Sequence, residues 1–182
     1  MKSLTRGRAL AVVSLLSLAV VAASFSGVAR GTTASRSLIA IHEQGTDNIN
    51  AQSTTGATRG KFTIELQKTP FGPAGTTIIY AIPSGTRNVN GQEQIPFVAT
   101  DHLTSKAGTI ELKITGVHVD VNSKLSPSGH VVGPSAEQGT WKIRNATGMY
   151  QGWKGGGNFA SVIDSYRTVR PYTVEWDGYI TH

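Results

Sequence analysis

Gly139-Thr140-Trp141-Lys142-Ile143-Arg144, then Gly157-Asn158-Phe159-Ala160-Ser161-Val162-Ile163, then Tyr172-Thr173-Val174-Glu175-Trp176-Asp177-Gly178-Tyr179-Ile180 decide the fold class. Trp141 and Ile143 fall on one side of the first segment. Tyr172, Val174, Trp176 and Ile180 fall on one side of the third, while Lys142, Arg144, Glu175 and Asp177 take the opposite sides. Alternation at period two marks strands with one apolar and one solvated face, so the spacing predicts three strands of an antiparallel sheet. The glycine-dense stretch Gly148 to Gly157 between the first two reads as a tight, bulged hairpin connection in which glycine supplies positive φ.

The same alternation runs upstream. Ser37 to Glu43 sets Leu38, Ala40 and His42 against Ile39 and Ile41, and Lys61 to Lys68 sets Phe62, Ile64 and Leu66 against Thr63, Glu65 and Gln67. Thr76 to Ile82, Pro96 to Leu103 and Thr109 to Val121 follow, the last with Ile110, Leu112 and Ile114 on one face. Turn-forming residues separate them, and Gly45 to Gly60, Pro83 to Gly91 and Leu125 to Gln138 read as loops, with a brief strand at His130 to Val132. Eight short strands predict an all-β, eight-stranded antiparallel barrel, its interior filled by side chains or holding a small ligand. A two-sheet sandwich fits the strand count nearly as well. An outer-membrane barrel needs aromatic girdles, and aromatics are only 7% of the chain.

The start of the chain sets the compartment. Lys2, Arg6 and Arg8 precede an apolar run from Ala9 to Ala23, with small residues at Ala22, Ala23, Gly27 and Ala29. This is the layout of a secretory signal peptide, cut after Ala23 or Ala29, and Ser24, Ser26 and Gly27 end the run before it reaches membrane-spanning length. Residues 1–29 are then the signal, residues 30–60 an N-terminal strand and polar loop, and residues 61–182 the remainder of the barrel domain. The expected location is extracellular, with no membrane association after cleavage. Cleavage after Ala29 leaves 153 residues, a chain long enough for one domain to hold by its core alone. With no cysteine there is no disulfide, thiolate metal site or lipid-modified cysteine, a usage more typical of bacterial exports than of small eukaryotic secreted domains.

Loss of the signal lowers the net charge from +6 to +3, leaving 14 basic residues against 11 acidic ones. These bases are dispersed, whereas a nucleic-acid binder shows a clustered stripe; no nucleic-acid partner is expected. Gly148 to Gly157 lacks the Gly-Lys-Ser/Thr ending of a phosphate loop, and no Gly-x-Ser-x-Gly elbow occurs. His118 with Asp120, and Asp101 with His102, could meet as metal ligands only on adjacent strands; they read as surface polar pairs, and neither a metal nor a cofactor is expected. Asn145-Ala146-Thr147 matches a glycosylation pattern that is idle in a bacterial export.

Gly139-Thr140-Trp141-Lys142-Ile143, Ala146-Thr147-Gly148-Met149-Tyr150-Gln151-Gly152, Gly155-Gly156-Gly157-Asn158-Phe159 and Tyr172-Thr173-Val174-Glu175-Trp176-Asp177-Gly178, in that order, resemble the C-terminal half of secreted bacterial proteins of unassigned activity with an allene oxide cyclase-like or dirigent-like β-barrel, and Asp101-His102-Leu103-Thr104-Ser105-Lys106-Ala107-Gly108-Thr109-Ile110 resembles the central hairpin of the same group. The resemblance covers Lys61 to Ile180. It implies a barrel that binds a small hydrophobic molecule, and it extends to a homo-oligomer, since related plant barrels assemble. Plant relatives steer a ring closure or a radical coupling, but their acidic catalytic residues have no residue-by-residue counterpart assigned in this sequence.

Three functions follow from this reading: binding of a small hydrophobic ligand or a partner, cyclase-like or dirigent-like steering of a reactive substrate, or an oligomeric surface protein without ligand. Trp141, Tyr172 and Trp176 are the candidate ligand-binding residues, with core packing as the alternative. Met149, Tyr150 and Trp153 either meet a ligand at a barrel mouth or pack over a barrel end. A buried carboxylate or histidine in an accessible cavity would favour the enzyme.

Overall fold

The computed structural model describes residues 35–48, 57–121, 124–125, 131–164 and 169–182; the expected signal segment lies outside them. Eight long strands follow one another: β1 (Arg36–Asn48), β2 (Ala57–Leu66), β3 (Gly75–Pro83), β4 (Gln92–Ser105), β5 (Gly108–Asp120), β6 (Ser135–Ala146), β7 (Lys154–Ile163) and β8 (Val169–Thr181). Each is antiparallel to the next. β8 returns to β1 in continuous register, from Arg36 opposite Thr181 to Asn48 opposite Val169. Closure leaves none of these strands as a free edge, so the fold is an up-and-down eight-stranded antiparallel barrel and not the two-sheet sandwich.

Inward positions follow the expected alternation. Ile39, Ile41, Phe62, Ile64, Ile110, Leu112, Ile114, Trp141, Val174, Trp176 and Ile180 form one buried core. The loop readings need correction, because paired backbone extends into all three stretches. Gly45 pairs with Gly60 and with Tyr172, so β1 and β2 run on through residues whose composition suggested a loop. β6 starts at Ser135, where Ser135 and Glu137 pair with Asp120 and His118. Arg87–Val89 turns back on β4 through Asn90-Gly91, both with positive φ, as a two-residue hairpin requires. The brief strand expected near His130 is Val131–Val132, paired with Lys124–Leu125.

The glycine-rich stretch divides in two. Gly148 and Gly152 have positive φ and shape the turn, whereas Gly155, Gly156 and Gly157 lie within β7. Gly157 pairs across the sheet with Gly178, where an added Cβ would stand 2.8 Å from Cζ2 of Trp141. Glycine here makes room for an indole. The same device recurs at Gly116, where a Cβ would lie 2.8 Å from Cζ of both Phe97 and Phe159. Gly116→Ala is therefore expected to cost ~1–3 kcal/mol by overpacking, and Phe159→Leu in the same chain should recover part of that loss. Urea unfolding checks this; losses that simply add would show that the rings are not the obstacle.

The two ends of the barrel differ. One is stoppered by Phe71, Tyr150 and Trp153, whose rings meet tilted or edge-on with centroids 5.0 to 6.5 Å apart. Tyr150 is fully buried, with its hydroxyl 3.1 Å from Ser105 Oγ, while Met149 is exposed. Tyr150 and Trp153 thus pack over a barrel end. At the other end half-buried His118, Asp120, Glu137 and Arg170 stand near the strand termini.

Candidate functional site

The apolar face of β1 continues from Ile39 and Ile41 to Glu43, and that of β4 runs from Ala99 through Asp101 to Leu103. Strand parity therefore turns both acids into the barrel, where Glu43 is 1% and Asp101 0% exposed. Thr77 of β3, equally buried, donates its hydroxyl to Asp101 Oδ1. Asp101, Thr77 and Trp176 of β8 are the polar groups that act on the Glu43 carboxyl. Both Glu43 carboxyl oxygens, Asp101 Oδ2 and Trp176 Nε1 are shielded from solvent without a hydrogen bond of good geometry among the described residues. Leaving such groups unsatisfied costs about 1–3 kcal/mol each, so this patch retains capacity to bond a polar atom.

No salt bridge reaches either acid among the described residues. Burial, and then the neighbouring Asp101 charge, push Glu43 well above the usual carboxylate range. Burial also raises Asp101, against the opposing influence of the nearby Glu43 carboxyl and of the Thr77 hydroxyl that it accepts from. Two adjacent carboxyls in a dry interior disfavour one another's ionisation, so the pair holds a proton to higher pH than ordinary carboxyls do. Such a group can donate to, or accept from, a polar atom placed against it.

Trp176 lies at this pair with its ring 5.0 Å from that of Phe159. Tyr172, two positions along the same face, lies over Gly45 and Gly60, where added Cβ atoms would come within 2.6 and 2.3 Å of its ring and hydroxyl. Trp141 sits on β6, donating Nε1–H to Asn158 O at 3.0 Å and to Asp177 O at 3.3 Å. All three are buried, at 1% to 3% exposure. A concavity of about 310 Å³ borders Glu43 together with His42, Lys61, Phe62, Thr63 and Glu175, but the Glu43 carboxyl oxygens are not open to solvent.

The histidines are separated. Asp101 points inward and His102 outward, as consecutive strand residues must. His118 is held between Glu137 at 3.0 Å and Asp120 at 3.2 Å. Burial lowers its pKa, but the two carboxylates more than offset this and raise it above 6.5. His42 is engaged by Glu175 on the outer surface.

Glu43 is the functional candidate that sequence reasoning missed. Its signal was available: an acid two residues beyond Ile41 on an apolar face. Compared with known proteins, the chain matches no family model, no curated protein and no solved structure. Its class rests on its own geometry: a closed antiparallel barrel with a buried carboxyl pair.

Proposed function

We propose that the chain is an exported barrel protein that binds a small hydrophobic molecule bearing one polar group, with that group against Glu43 and Asp101. The observation that carries this reading is the solvent-shielded acid pair, with unused hydrogen-bonding capacity, inside a mainly apolar barrel. Aromatic walls with a few placed polar groups are the usual form of a small-ligand site, and Trp176, Tyr172 and Trp141 would supply the walls. Entry from the end bearing His118 and Arg170 is favoured, since Tyr150 and Trp153 close the other. The interior is packed, so a guest must displace side chains, and association is expected to be slow. Export rests on the signal-like residues 1–29, and the resemblance to allene oxide cyclase-like and dirigent-like barrels supports both ligand binding and a homo-oligomer.

A second reading, steering of a reactive substrate, is favoured by the raised affinity of Glu43 for its proton. A carboxyl that holds its proton to higher pH than usual is better suited to act as a general acid. Native mass spectrometry of the protein recovered from culture medium tests the binding function. A co-purified apolar molecule is expected, with a melting point that rises on adding it back and a weaker response in Asp101→Asn. A barrel that is always empty and indifferent to a panel of apolar ligands would sink both readings. Conversion of the recovered molecule, rather than its unchanged release, would select the second.

A further inference from the structure

The outer face of the barrel carries a feature independent of the interior acids. Tyr80 of β3, Thr100 of β4, Lys113 of β5 and Lys142 of β6 are successive neighbours across four strands. One step along, Ile82 pairs with Val98. A groove of about 590 Å³ runs over this surface, lined by Tyr80, Ile82, Val98, Lys113, Lys142 and Arg144 among others. Its apolar members are unusually open, Ile82 at 57%, Val98 at 42% and Tyr80 at 41% exposure.

Lys113 and Lys142 are directly opposite each other, an arrangement in which like charges destabilise a sheet. Among the described residues neither has a carboxylate in salt-bridge range, and Glu111 on the same face is engaged by Arg144 at 3.1 Å. Side chains opposite one another on neighbouring strands start about 5 Å apart, close enough for both ammonium groups to reach one carboxylate. Beside them lie Thr100, directly across from Lys113, and Arg144, and past Thr100 the surface becomes apolar at Tyr80, Val98 and Ile82. The groove thus presents paired cations at one side and an exposed hydrocarbon-like floor at the other, and its volume falls within the range of small-molecule sites.

We propose that this groove binds a monomeric anionic amphiphile, its carboxylate between Lys113 and Lys142 and its hydrocarbon tail along Tyr80, Val98 and Ile82. The charge complement selects an anion, and the floor selects a chain over a small ion. This site is separate from the acid pair and does not depend on the function proposed for the interior.

Titration of the purified protein with dodecanoate below its micelle concentration, followed by amide chemical shifts and calorimetry, tests it. Saturable binding is expected, with shifts centred on Val98, Thr100 and Lys113. The double variant Lys113→Glu with Lys142→Glu changes only exposed residues, and should weaken dodecanoate binding by ~10-fold or more. Acetate and dodecanol should each bind at least ~10-fold more weakly than dodecanoate, since each lacks one half of the recognition. Asp101→Asn should leave dodecanoate binding unchanged, which separates the groove from the interior. Undiminished affinity in the lysine variant, equal binding of acetate or dodecanol, or loss of dodecanoate binding in Asp101→Asn would each overturn the proposal. So would attachment only to phosphatidylglycerol vesicles, or a stable dimer in light scattering whose contact covers this face.

Discussion

Glu43→Gln is expected to raise stability at pH 7.5 and to flatten the dependence of stability on pH. The folded-state pKa of Glu43 lies well above its ordinary value of 4.5, mainly because burial disfavours the charged form. The folded chain therefore binds more protons than the unfolded chain between these two values. Stability is full below the unfolded value and falls as pH rises through the raised folded value, by about 1.4 kcal/mol per pH unit for one proton. Glutamine is neutral throughout, keeps the shape and cannot contribute to this loss. Asp101→Asn should act in the same direction, since Asp101 is also raised by burial. His118 adds a background of the same sign, because its folded pKa also lies above its ordinary value; comparing variants that all retain His118 cancels it. Urea unfolding from pH 4 to pH 8 reads the slopes directly, and about 1 kcal/mol should move the melting temperature by roughly 2–4 °C in a chain of this size. Parallel slopes in wild type and Glu43→Gln would show that Glu43 is ionised like an exposed acid.

Trp141→Ala is expected to cost about 3–5 kcal/mol, the range for truncating a buried aromatic. The indole is almost fully enclosed, and its Nε1–H serves the carbonyls of Asn158 and Asp177. Those carbonyls belong to β7 and β8, so the side chain of one strand secures two others. Trp141→Phe keeps ring bulk but loses the donor, and should cost less, about 1–3 kcal/mol. Equilibrium urea unfolding measures both. A loss below about 1 kcal/mol for Trp141→Ala would mean that the indole does not help fill the barrel.

Strand faces were legible because side-chain parity is a property of a few consecutive residues. Phe62 and Ile64, Ile110 to Ile114, and Tyr172 to Ile180 fall on the core side as their spacing predicts. Loop content was less legible where composition misled. Gly45 and Gly60 belong to strands because Tyr172 needs the space that a side chain would fill, and Gly155 to Gly157 lie in β7 and not in a turn. A glycine in the sequence looks the same whether its backbone bends or a distant ring covers it.

The candidate site was only half written locally. Parity alone places Glu43 with Ile41, and Asp101 with Leu103, and so turns both acids away from solvent. That they act on one another depends on closure: β1 and β4 are not neighbours in the sheet, and their side chains meet only across the barrel interior. Likewise Lys113 and Lys142 are ordinary outward lysines until the β5–β6 register sets them opposite each other beside Tyr80 and Val98. The sequence by itself determined the faces of the strands, because alternation is local. The tertiary structure decided which faces meet and how deep each group lies, because register and closure arise from contacts between distant strands.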